Sequence, residues 1–284
     1  MKANHAVAAL VFISISAPTS VVLADDDVNK ASLRNTNPLT NIGANTATGF
    51  TGWNAALHLS AIALTPAIVQ TGADTDAHNY FARHQSLETY TLPGVIAGYA
   101  LPVVAGGSLL AYGLNQDSER EVAAASSVVQ ATAIALTYQS LLKAFTGRPA
   151  PAPEVYEDDS ASQTFRFGFM RGGIHYGWPS GHMMTTTAIV GSLLPLYPDS
   201  WELRLGSVAF LTYMAGSVAI HESSSMHWIS DMAAGTLMGF AIGNGVGEGF
   251  ARHVGIGSES DGTVSVMPLI CPEGGLGLSV SGTL

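Results

Sequence analysis

Long stretches without a charged residue dominate the chain after residue 50. They cover residues 53–71, 92–114, 122–142, 183–198, 205–220 and 232–246. A bilayer span needs about 20 mostly apolar residues, and the second and third stretches reach that length. Most stretches are rich in Ala, Gly, Ser and Thr, which let helices pack closely. The pattern predicts an all-α bundle of about six core helices, which we expect to be membrane-embedded; a soluble bundle with these helices as its core is the alternative.

The two ends of the chain have a different character from this helical domain, which we assign to residues 51–253. Lys2 precedes an apolar run, and small residues precede Asp25, a pattern typical of a secretory signal over residues 1–24. A retained membrane anchor is the alternative. Residues 25–50 form a polar arm, and residues 254–284 are Gly/Ser/Val-rich, which predicts a short irregular or β-rich tail. We therefore expect an exported protein in the cell membrane or periplasm of a bacterium.

Composition narrows the possible partners. Only 11% of the residues are charged, whereas about 25% is usual for a soluble domain, so large surfaces are buried or face lipid. The net charge is −10 with only 11 Lys and Arg, which excludes the basic face of a nucleic-acid-binding protein. Four of the cations, however, fall between residues 143 and 171: Lys143, Arg148, Arg166 and Arg171.

The first candidate motif is Lys143 followed by Arg148-Pro149. The third apolar stretch ends here, because Gly147 and Pro149 stop a helix. A lysine and an arginine at such a point can give several hydrogen bonds to one phosphate. The alternative is that both cations only offset the helix dipole.

The second motif is Pro179-Ser180-Gly181-His182. Ser180 suits the cap of a helix that begins near His182, and Gly181 lets the backbone approach an anion closely. The free amides at a helix start bind anions. The alternative is a capped helix with a surface histidine.

The third motif is His227 with Asp231, four residues later. On a helix the two side chains share a face, so the carboxylate can accept a hydrogen bond from one ring nitrogen and orient the other. A nucleophilic histidine needs this arrangement. A pair that only stabilises the helix start is the alternative.

A metal site is the competing interpretation of this region. His221-Glu222 with His227 is similar at first glance to a zinc protease signature, but that motif places its histidines four residues apart on one helix face. Here the spacing is six, which puts the two rings on nearly opposite faces. We therefore predict neither a metal nor a cofactor.

The three motifs together, in this order between apolar helices, resemble the type 2 phosphatidic acid phosphatase (PAP2) and vanadium haloperoxidase superfamily over roughly residues 90–250. The resemblance implies a PAP2-like helical phosphatase domain. It implies that His227 is the nucleophile that forms a phosphohistidine, Asp231 its orienting carboxylate, and His182 the general acid. Ser180, Gly181 and Lys143 would bind the phosphate.

Two positions depart from the family pattern. The family has an arginine after Lys143 with six residues between, where this chain has Ala150, and a Ser-Arg pair where this chain has Ile220 and His221. Each lost charge-assisted hydrogen bond is worth about 1.5–3 kcal/mol, so reduced activity is expected. Arg148 and His221 are the expected phosphate-binding substitutes, with Arg171 as a further candidate.

The resemblance implies a metal-independent phosphatase that hydrolyses phosphate monoesters or pyrophosphates, with a phosphorylated lipid or a small phosphate ester as the partner. We expect a lipid substrate and a membrane location. Alternating Phe165, Phe167 and Phe169 predict an extended segment with one aromatic face, which we expect to touch a lipid chain or the bilayer interface; ordinary packing of this loop over the bundle is the alternative. The alternatives are a soluble periplasmic acid phosphatase of broad specificity, a degenerate member that binds phosphate or lipid with little turnover, and a haloperoxidase that holds vanadate.

Overall fold

The computed structural model of the protein describes residues 36–84, 88–152, 154–172, 174, 177–220, 227–256, 264–270 and 276–282. The expected signal segment, residues 25–35 of the polar arm and His221 lie outside the described residues. The helices are α1 (Ile42–Gly49), α2 (Gly52–Gln70), α3 (Ala73–Ala82), α4 (Glu88–Asn115), α5 (Glu119–Thr146), the single turn α6 (Ser160–Gln163), α7 (Gly181–Leu193), α8 (Trp201–Ile220) and α9 (Ile229–His253).

The prediction of an all-α bundle is confirmed. Each of the six uncharged stretches lies in one helix, in the order α2, α4, α5, α7, α8 and α9, with a 3-10 turn at Leu194–Leu196 extending α7. The tail forms an antiparallel hairpin of β1 (Val264–Ile270) and β2 (Leu276–Gly282), with Val264 opposite Gly282. A β-rich tail was one of the two predicted forms.

Helix α9 occupies the centre and packs against α7, α2, α1 and α5. Glycines recur every fourth residue along its face towards α7. Cβ atoms built there would lie 2.1–2.5 Å from α7-side carbonyl oxygens, so only glycine permits this separation. The glycines are Gly235, Gly239, Gly243 and Gly247, and they face the carbonyls of Ser180, Met184, Ala188 and Ser192, respectively. This contact fixes the starts of α7 and α9 side by side, where the N–H of Ser180 donates to the carbonyl of Asp231 at 2.9 Å.

Three helices among the described residues are long and apolar enough to cross a membrane: Gly52–Gln70, Thr89–Asn115 and Trp201–Ile220. Helix α5 is not one of them, although the sequence gives it a long uncharged stretch. Its residues are largely Ala, Ser, Thr and Gln, and many of them are buried inside the bundle. The length of its uncharged stretch made α5 a candidate membrane span, and this expectation is corrected. Helix α4 remains a candidate span.

Candidate active site

The end of α5 supplies a buried cation. Lys143 lies in its last turn and is 5% exposed, and Gly147 ends the helix with a left-handed φ of 54°. A side chain at Gly147 would be strained there, and its Cβ would also lie 3.0 Å from the carbonyl oxygen of Arg166. The turn therefore depends on glycine, and it redirects the chain so that Arg148 enters the interior.

The start of α7 supplies the turn that we predict to bind an anion, and a histidine. Ser180 is the cap, with its Oγ accepting from the N–H of Met183 at 3.4 Å. The His182 ring lies edge-on to Tyr99, with 4.5 Å between ring centroids. Its Nε2 is buried without a hydrogen-bond partner among the described residues. A buried nitrogen without a partner is costly, so this atom is available to a ligand.

The start of α9 supplies the second histidine. His227 immediately precedes the cap residue Trp228, and its Nδ1 lies 3.6 Å from Oδ2 of Asp231. That carboxylate oxygen also accepts from the N–H of Trp228 at 3.2 Å. The distance to His227 is slightly beyond hydrogen-bond length. Catalytic hydrogen bonds are often long in the free enzyme and shorten when substrate binds.

These groups form one electrostatic cluster. Burial, together with the nearby charges of His227 and Lys143, lowers the pKa of His182 to about 4. Burial also lowers the pKa of His227, against the opposing attraction of the Asp231 carboxylate. Burial lowers the pKa of Lys143 to about 8, against the attraction of Asp231. At pH 7 both imidazoles are therefore neutral and the lysine is mostly cationic, which leaves a histidine lone pair available for attack.

Arg148 is not directed at this cluster as a free phosphate ligand. Its guanidinium is fully buried and donates to Asp231 Oδ1, to Ser230 Oγ at 2.7 Å and to Asp74 Oδ2 at 2.6 Å. Nε and Nη2 both donate to the carbonyl of Ser162, at 3.1 and 2.6 Å. Because these donors are bound to protein atoms, the structure places Arg148 in an internal network. This arrangement argues against the expectation that Arg148 substitutes for a phosphate-binding arginine, which stays a prediction to be tested.

Of the remaining predicted phosphate ligands, Ser180 and Gly181 are buried at the α7 start beside Lys143, whereas Arg171 is exposed. A Cβ on Gly181 would lie 2.3 Å from Oε1 of Gln139, so the backbone at this turn is tightly covered. Oε1 of Gln139 is itself buried without a hydrogen-bond partner among the described residues. Gln139 lies on α5, one helical turn before Lys143, and its amide packs against Gly181 at the start of α7.

Sequence reasoning missed Gln139 and Asp74. Gln139 is four residues before Lys143, a spacing that places both on one face of α5 and that gave a usable signal. Asp74 lies in a polar segment after the first apolar stretch, and nothing in that segment shows which residue turns inward. Among the residues that the structure describes, no group of three His, Cys, Asp or Glu side chains is arranged to hold a metal ion.

The three phenylalanines of the loop do not share one role. Phe165 packs over Arg148, with its ring centroid 5.0 Å from the guanidinium carbon. Phe167 stacks on Phe165 at 5.5 Å, and Phe167 and Phe169 are 68% and 67% exposed. The outer two are thus placed to meet a partner, while the inner one covers the charge network. Contact with lipid stays a prediction.

Comparison with known proteins identifies the segment that carries these residues. Residues 124–250 match the family model of the PAP2 superfamily. The match contains all three motifs and α7, α8 and most of α5 and α9, but not α1–α4. No curated protein and no solved structure matches the chain significantly.

Proposed function

We propose that the protein hydrolyses lipid phosphate monoesters or pyrophosphates through a phosphohistidine on His227. The match of residues 124–250 to the family model of the PAP2 superfamily supports a phosphatase-type activity in general. The observation that carries the proposal is the grouping of His227–Asp231, His182 and Lys143 where α5 ends and α7 and α9 begin. Each group has a role in phosphoryl transfer, and the local geometry suits that role.

In the first half-reaction Nε2 of His227 attacks phosphorus, and the bond from phosphorus to the leaving oxygen breaks. The electron pair of that bond stays on the oxygen, which takes a proton from His182 in its protonated form, a form that the negative charge of the bound phosphate favours. Asp231 accepts a hydrogen bond from Nδ1 of His227 and stabilises the positive charge that the phosphorylated imidazole acquires. In the second half-reaction His182 takes a proton from water as its oxygen attacks phosphorus, and the P–N bond breaks to release phosphate and restore neutral His227.

The charge on the transferring phosphoryl group is offset by Lys143 and by the amides at the start of α7. Backbone N–H groups at a helix start point at an anion and benefit from the helix dipole. Positioned cations act in the same way on phosphoryl oxygens. With Ala150 in one arginine position and Arg148 internal, this set is smaller than the family pattern implies. We infer slow turnover rather than none.

A lipid substrate is supported by the depth of the site relative to the candidate spans. His182 packs against Gly98 of α4, nine residues after Thr89, since a Cβ on Gly98 would lie 2.8 Å from its Cδ2. At 1.5 Å per residue this is about 14 Å from the span's start. The Oγ1 of Thr65, near the end of α2, accepts a hydrogen bond from Trp178 Nε1 at 2.8 Å, about 8 Å from that span's end at Gln70.

The site therefore lies near the C-terminal end of α2 and towards the N-terminal end of α4. A bilayer core is about 30 Å thick, with headgroup regions on either side. If these helices cross the membrane, the cluster lies about 8–14 Å inside the ends of the spans, on the side of the membrane where α2 ends and α4 begins. A phosphate carried on a lipid would enter the bundle from the headgroup region on that side to reach His227.

The test compares phosphate release by the wild type, His227→Ala and a control variant, His84→Ala, which removes an exposed histidine. Each is given a lipid phosphate in detergent and a small soluble phosphate ester, with a chelator present. We expect activity in the wild type and control, none in His227→Ala, and preference for the lipid. Preference for the soluble ester would favour the broad-specificity phosphatase. Vanadate binding without turnover in the wild type would favour the degenerate binding protein and contradict the proposal.

A further inference from the structure

Asp74 is a fully buried carboxylate that lies outside the PAP2 domain. It belongs to the first turn of α3 and is 0% exposed, whereas Asp76, two residues later, is exposed. A buried charge needs partners that compensate for its lost hydration. Those partners lie at the start of α9 and on Arg148, next to the nucleophile.

The first link from Asp74 to the site is the start of α9. The cap residue of this helix is Trp228, whose side chain offers no acceptor. Asp74 supplies one from another helix: Oδ1 accepts from the N–H of Ser230 at 2.9 Å, and Oδ2 accepts from its Oγ at 2.7 Å. A negative group at a helix start also answers the helix dipole. Asp74 thereby fixes the turn that begins directly after His227.

The second link is through Arg148. One side of its guanidinium binds Asp74 and the other binds Asp231. Because Arg148 holds Oδ1 of Asp231, the other oxygen, Oδ2, is left facing Nδ1 of His227 at 3.6 Å. The orientation of the catalytic carboxylate therefore depends on where Asp74 holds the arginine.

From these two links we propose that Asp74 is a positioning residue for the nucleophile, acting through Arg148 and the α9 start on the Asp231–His227 pair. This inference rests on the proposed function. It adds to the PAP2 domain a residue from a helix that the family match does not include. Among the described residues, Asp74 makes its hydrogen bonds to Ser230 and Arg148, not to the start of α7. We therefore infer that its effect reaches the reaction through His227.

The charge of Asp74 also matters to His227. Among the residues that the structure describes, the titratable groups around that ring are Asp231 on α9, Lys143 and Arg148 at the end of α5, His182 on α7, and Asp74 and His78 on α3. Asp74 and His227 line the same small cavity, whose volume of about 10 Å³ admits about one water. Without the Asp74 charge, the positive charge of Arg148 is less neutralised and lowers the proton affinity of His227. The same effect destabilises the positively charged, phosphorylated form of His227.

The experiment uses Asp74→Asn, which keeps the shape and removes the charge, in the full-length protein. Asp76→Asn is the matched control on the same helix. We expect kcat of Asp74→Asn to fall about tenfold or more, with KM within about twofold, because positioning of a catalytic pair acts in the transition state. Asp76→Asn should match the wild type. Equal kcat in wild type and Asp74→Asn, per folded molecule, would overturn the proposal.

A second readout separates this inference from the proposed function. The pKa of the His227 ring is measured by NMR of 15N-histidine-labelled protein, with His227→Ala to assign the signal. We expect Asp74→Asn to lower this pKa. Ser230→Ala removes hydrogen bonds but no charge, so it should lower the melting temperature and leave the pKa of His227 unchanged. An unmoved His227 pKa in Asp74→Asn would overturn the inference. A lowered pKa in a protein without turnover would support the coupling and reject only the phosphatase.

Discussion

Replacing Arg148 by methionine tests the placement of this side chain most directly. The guanidinium is 0% exposed and lies between two carboxylates that are also 0% exposed. Removing one partner of a buried ion pair typically costs about 3–5 kcal/mol, because an uncompensated charge stays buried. For a domain of this size each kcal/mol lowers Tm by about 2–4 °C. A loss of about 4 kcal/mol therefore predicts a fall in Tm of roughly 8–16 °C.

The assay is thermal unfolding in detergent followed by circular dichroism, with Arg171→Met as the control. Arg171 is exposed, and such surface changes usually stay within about 0.5 kcal/mol. Combining Arg148→Met with Asp74→Asn removes a cation and an anion together. The double variant should be more stable than the two single losses predict, by about 1–3 kcal/mol, as expected for residues in one network.

The refuting result is clear because the alternative role of Arg148 predicts the opposite pattern. An arginine that binds phosphate would leave Tm nearly unchanged when removed and would weaken inhibition by vanadate about tenfold or more, since charge-assisted hydrogen bonds are worth about 1.5–3 kcal/mol. Unchanged Tm with weakened vanadate inhibition, or strict additivity in the double variant, would reject the internal network and restore the expectation drawn from sequence.

Three further predictions concern the anion site. In Gly181→Ala the new Cβ meets Oε1 of Gln139 at 2.3 Å, so the buried Gln139 amide or the turn must move, and kcat/KM should fall by up to about 100-fold. Gly206→Ala, which meets nothing within 4 Å, should keep full activity in the same assay. Vanadate inhibition should weaken as pH rises through about 8, because Lys143 loses its charge there; in Lys143→Met this pH step should be absent, and a step that persists would contradict the assignment. His182→Ala should lose far less activity on nitrophenyl phosphate, whose leaving group needs no proton, than on an alkyl phosphate; equal losses would remove His182 from the general-acid role.

The fold was largely predictable because charge is so sparse in this chain. Six uncharged stretches bounded by polar segments correspond to six helices, and local spacing sufficed to locate them. What the pattern did not reveal is which helices are central. Helix α5 and helix α9 are both long, yet they are buried because small residues let their neighbours approach closely. The glycines of α9 face two sides, since Gly245 and Gly249 meet α1 while the other stripe meets α7.

The parts of the site that depend on residues close in sequence were predictable, whereas the parts that depend on contacts between distant segments were not. His227 and Asp231 are four residues apart at one helix start, and Ser180 caps the turn before His182, so short-range geometry decides both. The direction of Arg148 depends instead on the left-handed turn at Gly147 and on a carboxylate that comes from α3. No spacing within the motifs encodes the partnership of Arg148 and Asp74, which are 74 residues apart.

The balance of charge in the described cluster is compatible with the general-acid role proposed for His182, although the pKa of this histidine is about 4. Two carboxylates, Asp74 and Asp231, offset two cations, Lys143 and Arg148, when both imidazoles are neutral. An incoming phosphate adds negative charge beside His182 and raises its proton affinity, since an anion favours the protonated form of a nearby base. Further arginines would bind the phosphate more tightly, but they would also hold His182 unprotonated more strongly. In the proposed mechanism, the absence of arginine at positions 150 and 221 therefore lowers the affinity for the anion and makes protonation of His182, which the departing oxygen requires, easier.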